Sequence, residues 1–207
     1  LLFLSPGRED GPTGQRNLDA VMEPQLTDRE RELARRLRDV RYRIAVAGGA
    51  DLLPVTKFHP ASDLACLHRL GIGAVGENRE QEARDKNAEL NGSVNIHMVG
   101  QIQTKKANSV ARWAAAVHTL DSAKLAVALD RGVQLAQERG QREAPLPVLL
   151  QLSADGDPAR GGITADKIDE LADVVSDAAG LELRGLMTVP PLNSCLLYTS
   201  DAADDSL

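Results

Sequence analysis

From residue 52 to residue 188, apolar runs of strand length take turns with stretches whose apolar residues recur at helical spacing. That alternation constrains the chain more than any single motif in it. The strand-like runs are LLPVTKF (52–58), IGAVGEN (72–78), NIHMVGQ (95–101), AVHTLDS (116–122), PVLLQLS (147–153) and LELRGLMT (181–188). Helical patterns separate them over 61–70, 79–90, 104–113, 122–139 and 164–179, and Gly71, Gly92, Gly140 and Gly180 punctuate four of their ends. Strict alternation of this kind predicts a parallel sheet covered by helices. An open, doubly wound sheet that binds a nucleotide would place G-x-G-x-x-G or G-x-x-x-x-G-K-[ST] after a strand, and no strand here is followed by either. The expectation is therefore an α/β fold of the (β/α)8 TIM-barrel type, with about six of its eight strands present in this chain.

Ahead of the alternation, Thr27-x-x-Glu30 forms a capping box, and Leu33, Leu37, Val40 and Ile44 follow at helical spacing until Gly48-Gly49. Both ends of the sequence look foreign to this domain. Residues 1–21 are rich in Gly, Pro and polar residues without period, and Met22 reads as the start of a domain spanning 22–194. The segment 195–207, CLLYTSDAADDSL, breaks with what precedes it and resembles translated sequencing adapter, an artefactual tail. On that reading the shortage of strands comes from truncation near Ser194.

A net charge of −6 lacks the basic patch of a nucleic-acid surface. Cys66 and Cys195 supply neither a disulfide framework nor metal-ligand spacing, which fits a reducing cytoplasm. No apolar run approaches membrane-spanning length, and residues 1–10 lack the basic n-region of a signal peptide.

In a barrel the working residues lie at the C-terminal ends of strands. Alternation puts Lys57 on one face with Leu53 and Val55, Asn78 with Ala74 and Gly76, and Met187 with Leu183 and Gly185. If these faces point inward, Lys57, Asn78 and Met187 share one mouth, and the two glycines leave room for a flat ligand. A lysine there is expected to be partly desolvated, which favours the neutral amine that attacks an aldehyde. The plainer account is a strand reaching water. His97 lies near the same mouth, with a satisfied core histidine as the alternative. Gln101 and Gln103 are loop hydrogen-bonding candidates. Lys105-Lys106 reads as an anion patch or a solvated helix start, and Arg160-Gly161-Gly162 as a backbone anion nest or a plain loop. His68 and His118 have no partner at ligand spacing, so no metal is expected. Trp113 and Phe58 read as packing residues.

Taken in order, VTKFHPA, GENREQEA, IHMVGQIQTKKAN, VHTLDS, QLS and RGLMTVP resemble the pyridoxal phosphate (PLP) homeostasis proteins, short relatives of the N-terminal barrel of alanine racemase. The resemblance covers residues 26–191. It implies the barrel of the fold type III PLP group, PLP as cofactor, and an internal aldimine on the lysine of the first motif, here Lys57. Many members carry a second lysine two positions on, where this chain has His59. The serine-containing and glycine-rich loops that hold the PLP phosphate in the family have no counterpart in this sequence, so weak PLP binding or poor folding is expected of the chain as written. The resemblance implies a non-catalytic PLP carrier, with PLP-dependent apoenzymes as recipients. The acidic charge and the lack of a long apolar run argue against nucleic-acid and membrane partners, and with no sign of a large obligate interface a monomer is expected. The alternative is a PLP-dependent amino-acid racemase on the same barrel. Racemisation needs a base on each face of the substrate carbanion, and the tyrosine that serves the second face in alanine racemases has no counterpart here: Tyr42 falls on the first helix and Tyr198 in the tail. A Schiff-base aldolase on a generic barrel would use the same lysine without PLP, but the ordered blocks argue against it.

Overall fold

The computed structural model describes residues 26–154, 156 and 161–189. The expectations for 1–21 and 195–207, and the Arg160 part of the nest, lie outside these residues. Five parallel strands form one sheet in the order β1-β2-β3-β4-β5: β1 (Ala74–Glu77), β2 (Asn95–Met98), β3 (Ala116–Leu120), β4 (Leu146–Leu152) and β5 (Leu181–Thr188). Two helices precede the sheet, α1 (Asp28–Val46) and α2 (Ala61–Arg69). The crossovers then use α3 (Glu80–Glu89), α4 (Ala107–Trp113), α5 (Ala123–Glu138) and α6 (Ile168–Ser176), with a 3₁₀ turn leading into α4 and another into α6. A doubly wound sheet reverses its strand order at a switch point. Here the order runs without reversal, as it does around a barrel. Among the described residues β1 and β5 are not paired with each other, so the sheet is an open arc.

The first expected strand, 52–58, is a correction. It makes one parallel bridge, Val55 to Gly76, with Gly76 N–H donating to Pro54 O at 2.8 Å and Thr56 N–H donating to Gly76 O at 2.9 Å. Pro54 has no N–H to extend the ladder in one direction, and the chain turns at Phe58 in the other.

The core lies between the sheet and its helices. Val75, Ile96, Met98, Val117, Val148 and Leu150 supply the sheet side, and Leu64, Val110, Leu125, Leu129 and Val133 the helix side, all buried. With aromatics at 2% of the sequence, aliphatic packing carries this layer. The opposite face of the sheet is more open, and Val55 is 49% exposed there.

The capping box of α1 is present in both directions: Thr27 accepts from Glu30 N–H, and Glu30 Oε2 accepts from Thr27 N–H at 2.7 Å. The other Glu30 oxygen accepts from Arg69 of α2 at 2.8 Å, and Arg29 binds Asp63 of α2. These contacts hold the Glu30 carboxyl down to about 2, the Thr27 hydrogen bonds being the largest cause. Of the apolar stripe expected on α1, only Leu37 is buried. Leu33, Leu37 and Val40 instead line an apolar groove of about 270 Å³ with Leu52, Pro54 and Val55, because the extended segment beneath them covers only part of the stripe.

Candidate functional site

Lys57 sits where the bridge segment leaves the sheet and turns. His59 N–H donates to Thr56 O at 3.0 Å, and Phe58 adopts a left-handed φ of 67°. Lys57 is exposed, so the desolvation expected of it is not found: the neighbouring face of the sheet is open on this side. Its ammonium lies 6.0 Å from the centre of the Phe58 ring, and the Arg79 guanidinium 5.2 Å. Phe58, expected to pack, is 71% exposed.

Beneath the turn is a buried ionic group. Lys86, one helical turn after Glu82 on α3, spends its three N–H donors on Glu77 Oε1 (2.6 Å), Glu82 Oε1 (2.7 Å) and Thr56 O (2.9 Å). Glu77 Oε1 also accepts from Thr56 Oγ1 at 2.6 Å, and Glu82 Oε1 from Phe58 N–H at 2.7 Å. The Lys86 hydrogen bond is the main cause holding the Glu82 carboxyl below its usual range. Glu77 is fully buried, and its Oε2 has no hydrogen-bond partner.

Asn78, just past β1, is held from the next loop. A Cβ at Gly100 would stand 2.1 Å from Asn78 O and 2.7 Å from Asn78 Cα, so only glycine lets the loop after β2 pass so close. Thr119 Oγ1 in turn donates to Gly100 O at 2.8 Å, which ties the ends of β1, β2 and β3 together. A Cβ at Gly76 would meet the Val99 methyls at 3.3 Å and Val55 Cγ2 at 3.4 Å, so Val55 and Val99 close in on the glycine from two sides.

His97 is half-buried, and its Nδ1 lies 3.0 Å from Nε2 of His118 on β3; one nitrogen donates and the other accepts. Burial, with the His118 charge second, pushes His97 down to about 4, and burial lowers His118 as well. Met187, the residue before the end of β5, pairs with Gln151 of β4, and β5 is the strand at the other edge of the arc from the Val55 bridge.

The remaining candidates have local roles. Lys106 pairs with buried Glu80 at 3.1 Å, which makes it a tie from the 3₁₀ turn to α3, while Lys105 is exposed. Gln103 N-caps that turn without a side-chain bond. A Cβ at Gly161 would lie 3.3 Å from Asp121 Oδ2, which disfavours an anion, and one at Gly162 would meet Ser153 N at 2.7 Å. Those contacts fit the plain-loop account. His59 Nδ1 lies 3.2 Å from Asp63 in the first turn of α2, so the residue standing where many relatives carry a second lysine joins the α1–α2 contact. His68 is exposed, and Trp113 packs against the core.

Sequence reasoning missed Glu77, Glu82 and Lys86. Two signals pointed to them: a carboxylate sharing the parity of buried Val75, and Glu82-x-x-x-Lys86 at i,i+4 on α3. The His97–His118 contact was also readable, since both sit on neighbouring strands.

The chain matches the alanine racemase N-terminal domain family over residues 30–202. It is 58% identical over 146 residues to the pyridoxal phosphate homeostasis protein of Corynebacterium glutamicum, covering 70% of this chain and 66% of that protein. With the protein of the same description from Mycobacterium tuberculosis it shares 46% identity over 202 residues, covering 87% of this chain and 77% of the relative. The chain thus spans about two thirds to three quarters of the length of these relatives. Among solved structures it resembles PipY of Synechococcus elongatus with PLP bound, at 31% identity and a TM-score of 0.67, covering 83% of this chain and 76% of PipY.

Proposed function

The chain belongs to the pyridoxal phosphate homeostasis protein family, and from that premise we propose that it is a non-catalytic PLP-binding protein, holding the cofactor as a Schiff base on Lys57 and contributing to intracellular PLP homeostasis. The observation that supports this reading is the exposed amine of Lys57, two residues past the bridge between Val55 and Gly76. At Gly76 any side chain would fill the space between Val55 and Val99, and we take the room that glycine leaves there as space for the ring of PLP.

When bound, PLP supplies an aldehyde carbon, and the chemistry it brings is reversible condensation with an amine, with release of one water. Lys57 provides the amine and must give up its proton to act as a nucleophile. Asn78 and His97 would hold PLP by hydrogen bonds, and Met187 would supply an apolar contact. The neutral state favoured at His97 leaves it able to donate or accept through its other nitrogen.

Racemisation would need a second base facing Lys57. Tyr42 lies on α1, 71% exposed, in the helix layer rather than at the mouth. No helix among the described residues is long and apolar enough to cross a membrane, and buried Cys66, in no disulfide among those residues, fits a reducing cytoplasm. Binding as a monomer and handing PLP to apoenzymes complete the proposal.

The test combines equilibrium dialysis of PLP against the full chain and Lys57→Ala with an alanine racemisation assay. The expected result is PLP retention lost in Lys57→Ala and no racemisation above the rate of free PLP. Racemisation by the chain that disappears in Lys57→Ala would make it an enzyme.

A further inference from the structure

Two peptide planes flank the α-carbon of Lys57, and each is held by the buried ionic group beneath the turn. The carbonyl of the first plane, Thr56 O, accepts from Lys86 Nζ at 2.9 Å as well as from His59 N–H. The N–H of the second, on Phe58, donates to Glu82 Oε1 at 2.7 Å. With both planes fixed, the φ and ψ of Lys57 have little freedom, although the residue itself is exposed. The Phe58 conformation, φ 67°, is one that a bulky residue adopts only when its surroundings impose it.

Fold support alone does not explain this group. Lys86 and Glu82 form an i,i+4 pair within α3 and need no partner on the turn. Glu77 is fully buried with Oε2 unpartnered, a costly arrangement that an apolar residue on the same strand face would avoid. What these charges add is a rigid hold on a turn that presents one lysine. We infer that Lys86, with Glu77 and Glu82, is a positioning device that fixes the backbone on both sides of Lys57 and so aims its amine at the mouth. Glu77, held by the Thr56 hydroxyl, orients Lys86, which grips the first plane, and Glu82 grips the second.

This inference rests on Lys57 as the PLP anchor, and its test separates the two claims. Glu82→Ala removes the acceptor of Phe58 N–H and leaves the buried Lys86–Glu77 pair intact, so the variant is expected to fold. Glu82→Gln keeps a side-chain oxygen for the same N–H. Lys86→Met is the stronger variant, checked for folding by circular dichroism. The first readout, amide hydrogen exchange at Phe58 in the PLP-free chain, does not depend on the cofactor. The second is the fraction of borohydride-trapped pyridoxyl label that falls on Lys57 rather than on other exposed lysines. The expected result is a Phe58 amide protected in the wild type and exchanging at least about tenfold faster in Glu82→Ala. Label on Lys57 should fall by a similar factor, and both readouts should return in Glu82→Gln. A Phe58 amide that exchanges equally fast in wild type and Glu82→Ala would overturn the clamp. Loss of protection with unchanged labelling of Lys57 would overturn its positioning role. A wild-type chain with a protected Phe58 amide but no label on Lys57 would defeat the anchor itself, and the positioning role with it.

Discussion

At Gly100 the loop after β2 runs directly over the backbone of Asn78, with 2.1 Å between a hypothetical Cβ and the Asn78 carbonyl oxygen. The obstacle is backbone on both sides, so neither partner can swing away. Gly100→Ala is expected to destabilise the chain by about 1–3 kcal/mol, read as a lower midpoint in urea, and to weaken PLP retention because Asn78 moves. At the His97–His118 pair the relevant variable is pH. His97 titrates at about 4 when folded against an ordinary value of 6.5. Between those values the unfolded chain takes up a proton that the folded chain refuses, so this contribution is complete above about pH 6.5 and is lost as the pH falls towards about 4. Urea midpoints measured across that window should drop more steeply for the wild type than for His97→Gln. Equal slopes would show that the ring nitrogens do not govern acid stability.

Among the elements, α1 has the clearest sequence signature and the least complete burial. Its box was legible because capping is local: Thr27 and Glu30 find each other three residues apart whatever the rest of the chain does. Thr27→Ala should cost about 1 kcal/mol of stability, seen as a lowered thermal midpoint. It should also loosen the α1–α2 contact, since the same Glu30 carboxylate binds Arg69. The apolar stripe of α1 was equally visible, but what covers it depends on the segment 52–58, where local pattern misled. LLPVTKF has the composition of a buried strand, yet Pro54 interrupts its ladder and the left-handed Phe58 ends it, leaving one bridge at Val55. The five named strands sit within the predicted runs to within a few residues, because β1 to β4 each bury at least one aliphatic residue against the helices and β5 buries Leu181.

For the molecule as a whole, the alternation of units gave the parallel sheet, and the run of strands in sequence order agrees with a barrel arc rather than a doubly wound sheet. The site was legible in part. Lys57 stood out as a charge at the tip of an apolar run, whereas the group that fixes its backbone comes from β1 and α3 and exists only once the fold brings Glu77, Glu82 and Lys86 beneath the turn. Exposure of Lys57 could not be read either, since it depends on how open the sheet face is around Val55. The covalent role of Lys57 is tested most directly by mixing the full chain with PLP, reducing with borohydride, and mapping the added mass by peptide mass spectrometry. A pyridoxyl group on Lys57, in preference to the other exposed lysines and absent in Lys57→Ala, is the predicted result. A folded chain that gains no label at Lys57, or labels it no more than any surface lysine, would contradict a PLP anchor at this position.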